Sequence, residues 1–424
     1  MIKSPRGTRD ILPSEWTGWE RLLRCAEQVA ERAGYQRIET PTFEFASLFR
    51  HATGEHTDVN REMYVFTDRG GDELTLRPEG TAPVFRAYSE HGMRVLPQPV
   101  KLYYLGSMFR YERPQSGRSR EHHQFGCEAI GSEDPLLDAS MIDLQRRFYA
   151  SSGITATTIH INSIGDSACR PGYVRELVAY LHRNADRLCG DCRERIERNP
   201  LRVLDCKNPA CQSVLNEAPK SLDYLCDECR EHWERVSAGL RALEIRVEVD
   251  ARLVRGLDYY TRTVWEFHPP GVQGSQSVLG GGGRYDALAA AIGAPEVPGV
   301  GFSTGLERVL LNLPARPETS VAATDVYVAH LGDEAALQAL RLAHILLESQ
   351  LRVQMTFGSR SLKTQLRYAG AAGAALAVLI GEDEIRDGVV TVRDLRTRDQ
   401  RRVDLAGATR EIITQLHQRG SNAP

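Results

Sequence analysis

VKLYYLGSMFRYERPQSGRSREHHQFGCEAIG, residues 100–131, sets the fold. Residues 100–110 are rich in Val, Leu and Tyr and read as a strand, and residues 124–131 read as a second. Between them runs a long, polar, basic segment, so the stretch predicts strand–loop–strand with a loop free to move. Further out, residues 157–163, 245–250 and 263–268 read as strands, and residues 300–309 as a strand running into a helix. Upstream, Trp16, Trp19, Leu22, Leu23, Ala26, Val29 and Ala30 recur at helical spacing within residues 15–33. Gly34 ends that helix, and residues 36–40 lead as a short strand into Pro41. The expected body is α+β, an antiparallel sheet flanked by helices. Residues 167–243 turn helical and charged and hold a cysteine cluster, which reads as an insertion into that body. Pro314 and Pro317 mark a linker over 313–324. Beyond it strands and helices alternate with short crossovers, as in a small α/β domain.

Bulk composition narrows the class. The 424 residues suffice for two or three domains, and 42% apolar with 26% charged residues is ordinary for a globular protein. No apolar run approaches the roughly 20 residues that span a bilayer. Residues 1–10 are charged and poor in apolar side chains, so no signal peptide is expected and the expected location is cytoplasmic. A net charge of −3 gives no global attraction for nucleic acid, which leaves local patches. Residues 110–120, with four arginines, and residues 352–367 are the candidates; the plainer alternative for each is a solvated face.

Four more segments carry chemistry: TLRPEGT (75–81), LVRGLDYYT (253–261), GGGGRYD (280–286) and GVGFSTGLERV (299–309). With residues 108–131 they supply Arg110, Arg255 and Arg308, planar forks suited to phosphate oxygens, and the carboxylates Glu79 and Glu128. Such a mixture fits a substrate that pairs a phosphate chain with an amine. One arginine alone is usually half of a surface ion pair; three in segments of this kind point to an anion. The four glycines 280–283 let a backbone lie flat against a ligand or another strand. They are no dinucleotide fingerprint, because no GxGxxG follows a first strand–helix unit.

These segments resemble those of the histidyl-tRNA synthetases, a family of class II aminoacyl-tRNA synthetases. LVRGLDYYT and GGGGRYD are family-level signatures, and the likeness runs from PRGTRDILP (5–13) into the C-terminal module. The resemblance implies a class II catalytic domain over 1–166 and 244–316, a mostly helical insertion domain over 167–243 and an α/β anticodon-binding domain over 324–424. It implies a histidine–tRNA ligase, which makes histidyl-adenylate from ATP and L-histidine and passes histidine to the 3′ end of its tRNA. The implied partners are the tRNA for histidine, L-histidine, ATP with Mg²⁺, and a second copy of the chain. The homodimer follows because the helix–strand–proline pattern of residues 15–41 resembles the motif at the class II dimer interface.

By the same resemblance Arg110 contacts the α-phosphate, Arg255 the reacting carboxylate and α-phosphate, and Arg308 the γ-phosphate end of a bent ATP; Arg255 and Arg110 would be catalytic. Glu128 and Tyr260 would hold the imidazole. Glu79, Thr81 and Gln124 match positions near the α-amino group, and Tyr259 lines the same pocket. Glu112 and His122 fall on the ATP side. His122 stands where the family commonly has phenylalanine and Ser119 where it has an aromatic, so adenine would stack on a neutral histidine ring. Gln115 and Arg118 lie where the family's loop approaches the acceptor end of tRNA.

Six of the nine cysteines fall between Cys189 and Cys229. Two CxxC pairs suit a structural zinc, and the expected ligands are the outer four, Cys189, Cys192, Cys226 and Cys229. The spacing between the pairs exceeds the usual one, and the alternative is small apolar fillers and free thiols. Disulfides are not expected in a long chain without a secretion signal. Two rival functions stay open. One is a non-catalytic paralogue, the histidine-sensing regulatory subunit of ATP phosphoribosyltransferase, which lacks catalytic motifs and the C-terminal domain. The other is a nucleic-acid-binding or signalling module on the same fold, which would need no complete adenylate site.

Overall fold

The computed structural model describes residues 2–54, 57–113, 119–256, 259–270, 278–314 and 324–421. It divides into two compact units, Gly18–Ala315 with Met1–Ile11, and Arg316–Pro424 with Leu12–Thr17. No helix among the described residues is long and apolar enough to cross a membrane.

The strands of the first unit are β1 (Gln36–Arg37), β2 (Phe43–Phe45), β3 (Tyr64–Thr67), β4 (Glu73–Leu76), β5 (Val100–Phe109), β6 (Glu121–Ile130), β7 (Thr158–Ser163), β8 (Glu248–Val249), β9 (Thr261–His268), β10 (Gly280–Arg284) and β11 (Gly299–Gly305). Eight of them form one sheet in the order β1-β5-β6-β11-β10-β9-β7-β8. Its interior is antiparallel, as the sequence predicts, but the edge strands β1 and β8 pair in parallel and span two residues each. β8 is short because the chain is still leaving a helix at Ile245, whose N–H bonds Leu240 O, and Asp250 already accepts from Arg252 N. A small sheet β2-β4-β3, which the sequence reading did not anticipate, lies apart from the large one.

Alternation along the strands splits the core in two. Tyr103 of β5, Phe125 and Cys127 of β6, Trp265 and Phe267 of β9 and Phe302 of β11 join the helices Pro13–Arg32 and Pro135–Ser152 in one apolar cluster. Leu102, Tyr104, Met108, Ile130 and Val264 point the other way, into a cluster shared with the helix Thr81–Glu90 and with Leu177, Ile196 and Val214 from between β7 and β8. Arg77 locks this second side, donating to Ser107 O at 2.9 Å and Thr40 O at 2.8 Å. Between β7 and β8 the chain forms the helices Arg170–Arg183, Gly190–Arg198, Pro209–Asn216 and Asp227–Ala242.

The second unit has five strands, β12 (Val326–His330), β13 (Val353–Met355), β14 (Leu376–Ile380), β15 (Val389–Asp394) and β16 (Gln400–Asp404), in the order β13-β12-β14-β15-β16. β13, β12 and β14 run parallel, and β15 and β16 continue the sheet antiparallel. Val326, Val328, Leu342, Leu346, Val378 and Val390 belong to its own core. The sequence reading anticipates alternating strands and helices here; β16, whose QRRVD pattern is mostly exposed, carries no apolar alternation.

Candidate active site

The register of the large sheet builds the floor of the site. Glu128 on β6 stands opposite Gly301 on β11, Gly301 opposite Gly283 on β10, and Gly283 opposite Val264 on β9. The neighbouring row runs Gly126, Ser303, Gly281, Glu266. Glycine fills this floor because side chains from other strands occupy the space above it. A Cβ on Gly283 would lie 2.6 Å from the Tyr260 ring, one on Gly281 would lie 2.9 Å from Arg255 Nη1, and one on Gly301 would strike Glu128 and Tyr285. The flat glycine strand therefore lies against its neighbours and makes room for residues from elsewhere.

A cavity of about 1250 Å³ opens on this face. Arg110, Arg255 and Arg308 all line it, although they come from the end of β5, the segment before β9 and the start of the helix Leu306–Asn312. Glu79, Thr81, Gln124, Tyr259 and Tyr260 line it too, as do Glu112 and His122. Gln115 and Arg118 lie outside the described residues.

Each cation is held. Arg110 Nε donates to Pro78 O at 2.8 Å, and Arg308 Nη1 donates to Val278 O at 2.8 Å. Arg255 Nη1 donates to Glu266 Oε1 at 2.6 Å, and its guanidinium lies 5.7 Å from the Tyr260 ring centroid. Among the described residues its Nε and the Oε1 of Gln124 are buried without hydrogen-bond partners, one donor and one acceptor. Buried polar atoms of that kind are costly unless a ligand meets them.

Glu79 is buried and accepts from the N–H groups of Thr81 at 2.7 Å and Ala82 at 2.9 Å, at the start of the helix Thr81–Glu90. Burial nevertheless pushes its carboxyl above the usual range. Glu128 sits one side chain back from the cavity. It is fully buried, accepts from Thr81 Oγ1 at 2.9 Å, and is bonded by the Tyr285 hydroxyl. Burial first, and then the charge of Glu79, push its carboxyl well above the carboxylate range. His122 moves the other way. Burial and the charges of Arg110 and Arg308 push it down to about 3, so its ring is neutral at physiological pH.

The sequence reading missed two supports of the site, Glu266 and Glu307. Glu266 orients Arg255, and its place two residues beyond buried Val264 on an alternating strand was the available signal. Glu307 accepts from His123 N and from His123 Nδ1 at 2.8 Å, which ties β6 to the helix that carries Arg308. Arg284, beside the glycine run, faces away from any ligand: it is fully buried and bonds Asp138 at 2.5 Å and Ser132 O at 2.9 Å. For Mg²⁺, Glu112 at 4.0 Å from Arg110 and Glu307 beside Arg308 bring carboxylate oxygens to the cavity, a donor set that suits a hard cation.

The four outer cysteines, expected from the sequence as one zinc set, do not come together. They divide between two clusters: Cys189 and Cys192 meet Cys206 and Cys211, whereas Cys226 and Cys229 meet Asp166 and Cys169. The helices Gly190–Arg198 and Asp227–Ala242 start in different places, so each CxxC turn finds its own neighbours.

A family profile described as histidyl-tRNA synthetase matches residues 7–309, and one described as anticodon binding domain matches residues 325–415. The histidine–tRNA ligase of Dehalococcoides mccartyi is 46% identical over 419 residues, covering 98% of this chain and 100% of that protein. The apo crystal structure of S. aureus histidyl-tRNA synthetase matches with a TM-score of 0.78 at 33% identity, covering 97% of this chain and 100% of that one. A Bacillus halodurans structure described as an ATP phosphoribosyltransferase regulatory subunit/histidyl-tRNA synthetase matches with a TM-score of 0.62 at 19% identity, over 90% of this chain and 98% of that one. At that identity the likeness is one of fold.

Proposed function

The chain belongs to the histidyl-tRNA synthetase family, and we propose that it is a histidine–tRNA ligase, which activates L-histidine with ATP to histidyl-adenylate and transfers histidine to the 3′ end of its tRNA. The observation that carries this reading is the convergence of Arg110, Arg255 and Arg308 on one cavity with Glu79 and Gln124. The regulatory alternative would lack the catalytic motifs, whereas Arg255 and Arg308 both line the cavity here.

In the first step a carboxylate oxygen of histidine attacks the α-phosphorus and pyrophosphate leaves. Negative charge builds on the α-phosphate, where Arg255 and Arg110 act, while Arg308 holds the far phosphates; fixed cations at such oxygens supply the largest rate effect. In the second step a terminal ribose hydroxyl of tRNA attacks the acyl carbon and loses its proton, and AMP leaves. Glu112 and Glu307 would hold Mg²⁺, which supplies neutralisation of phosphate charge. The histidine ammonium falls to Glu79, Thr81 and the open acceptor Oε1 of Gln124, and the imidazole to Tyr260 and Glu128, with Tyr259 beside them. Glu128 reaches the imidazole once Thr81 yields its hydrogen bond. Adenine stacks on neutral His122.

We assign catalysis to residues 1–166 and 244–316, the insertion to 167–243 and anticodon binding to 324–424. Exposed Phe357 and Tyr368 accompany Arg360, Lys363 and Arg367 in the last of these, a mixture that suits stacking and charge contacts to a single-stranded loop. Phe43, Phe45, Val65 and Phe66 are exposed on the small sheet, which supports a homodimer. The enzyme would work in the cytoplasm. The test is ATP–pyrophosphate exchange with each of the twenty amino acids: exchange with histidine alone is expected, and none with any amino acid would sink the reading.

A further inference from the structure

Seven of the nine cysteines gather in two places. In the first, the Sγ atoms of Cys189, Cys192, Cys206 and Cys211 all lie within 4.8 Å of one another. Cys189 and Cys206 are 3.9 Å apart, and so are Cys192 and Cys211. A disulfide would be about 2.05 Å. Four sulfurs about 2.3 Å from a central ion would stand about 3.8 Å apart at the corners of a tetrahedron. Backbone N–H groups also aim at these sulfurs: Cys189 N at Cys211 Sγ, 3.2 Å, and Asn208 N at Cys206 Sγ, 3.4 Å. Donors placed this way stabilise thiolates in preference to thiols.

In the second place, Sγ atoms of Cys169, Cys226 and Cys229 and a carboxylate oxygen of Asp166 lie within 4.8 Å of one another. Asp166 and Cys169 belong to the turn that leaves β7 for the helix Arg170–Arg183, and Cys226 and Cys229 start the helix Asp227–Ala242. The turn is shaped around the sulfur: Gly165 has φ +66°, and a Cβ there would sit 2.6 Å from Cys169 Sγ. The same turn touches the cavity wall. Arg170 Nη2 bonds Gly165 O at 2.8 Å and Tyr260 O at 2.6 Å, and Arg262 N bonds Gly165 O at 2.8 Å. Apolar packing needs small side chains, but it does not need sulfurs from separate turns to converge twice.

We propose that the chain holds two structural zinc ions, a four-cysteine site inside the insertion and a three-cysteine, one-aspartate site where the insertion joins the sheet. Each thiol gives up its proton to solvent as the ion binds. The first site ties the turns of the insertion together where Cys192, Cys206 and Cys211 are buried among Leu188, Ile196, Val203 and Leu204. The second fixes the turn behind Tyr260, so Cys169 and Asp166 act as positioning residues for the amino-acid pocket; this half rests on reading the cavity as the histidine site.

The experiment is zinc content of the full-length protein, purified without added metal, with cobalt reconstitution read by its thiolate charge-transfer and tetrahedral absorption bands. About two zinc ions per chain are expected in the unaltered protein, one in C206S/C211S, one in C169S, and two in the control C25S. One or none in the unaltered protein, or two retained in either cluster variant, overturns the assignment. Cobalt titration of the unaltered chain needs no variant to fold; saturation at two equivalents is expected, and saturation below two overturns the pair. In pyrophosphate exchange, C169S should raise the KM for histidine several-fold with a smaller change in kcat, and the control C25S should leave that KM unchanged. Equal effects of the two variants would overturn the coupling to the pocket. Loss of histidine-dependent exchange in the unaltered chain would instead sink the proposed function, whatever the metal count.

Discussion

At the scale of single residues, the site sets buried charge against charge, and substitutions there separate chemistry from stability. Arg255→Ala removes the guanidinium that Glu266 holds at 2.6 Å. We expect kcat for adenylate formation to fall by about 10²–10³ or more, because such a group acts mainly on charge that develops in the transition state. Histidine KM should move far less, and a near-normal exchange rate in a folded variant would refute the role. Glu128→Gln should do two opposite things. Histidine use should weaken, by about 0.5–1.5 kcal/mol for a lost hydrogen bond, with ATP KM nearly unchanged. The folded protein should melt higher at neutral pH. Because burial raises the carboxyl's folded-state pKa above its unfolded value, the folded state holds its proton more tightly, and Glu128 costs stability once pH climbs above the usual carboxylate range. The melting difference should shrink to nothing as pH falls through that range; a difference that persists at pH 3 would contradict the cause. His122, held down to about 3, contributes no titration to ATP binding between pH 5.5 and 8. His122→Phe should therefore keep ATP KM within a few-fold of the original and leave its pH profile unchanged over that interval.

At the scale of elements, β10 is decided by its neighbours. A Cβ on Gly282 would meet Gly301 O and the Trp265 ring, and those atoms belong to a packed sheet that cannot retreat. We expect Gly282→Ala to cost about 1–3 kcal/mol or more as overpacking, seen as a lower denaturant midpoint with the slope unchanged; an unaltered midpoint would mean the sheet relaxes freely. Much of this architecture was legible in the sequence. The helix at Pro13–Arg32, the long pair β5 and β6, and the alternation in the C-terminal unit all follow from apolar periodicity. The three arginines and Glu79 were legible as residues, and their convergence came through the family likeness. What escaped has physical causes. β1 and β8 fall within the expected strands 36–40 and 245–250 but span two residues each, and the small sheet, with Phe43, Phe45, Val65 and Phe66 exposed, carries no period-two burial signal. The grouping of the cysteines depends on which turns meet in space, which spacing along the chain does not encode. Glu128 stands behind Thr81 because the register places it opposite Gly301, a fact of pairing that no local pattern reveals.

At the scale of the whole molecule, the two units keep separate apolar cores, so they can be tested apart. A chain cut after residue 316 should still exchange pyrophosphate with histidine, since Arg110, Arg255 and Arg308 all precede that point, but should charge tRNA poorly. Full charging by the shortened chain would give the C-terminal unit some other task. The pairing of β7 with β8 has a wider consequence. The chain leaves the sheet after Ser163 and returns at Glu248 on the strand directly beside the one it left, with Ile161 opposite Val249. Everything between hangs from one gap in the sheet edge, which a parallel crossover of about a dozen residues can bridge. The excursion is not uniformly detachable: His232 on its last helix bonds Asp138 at 2.9 Å, beneath the sheet. The stretch before Cys226 is anchored too, since Arg170 bonds Tyr260 O at 2.6 Å and Ser221 Oγ bonds Ser163 O at 2.7 Å. Descent can therefore vary the length of the excursion most freely between these junctions, from Asn184 to Lys220, while the strand pairing at both ends stays as it is.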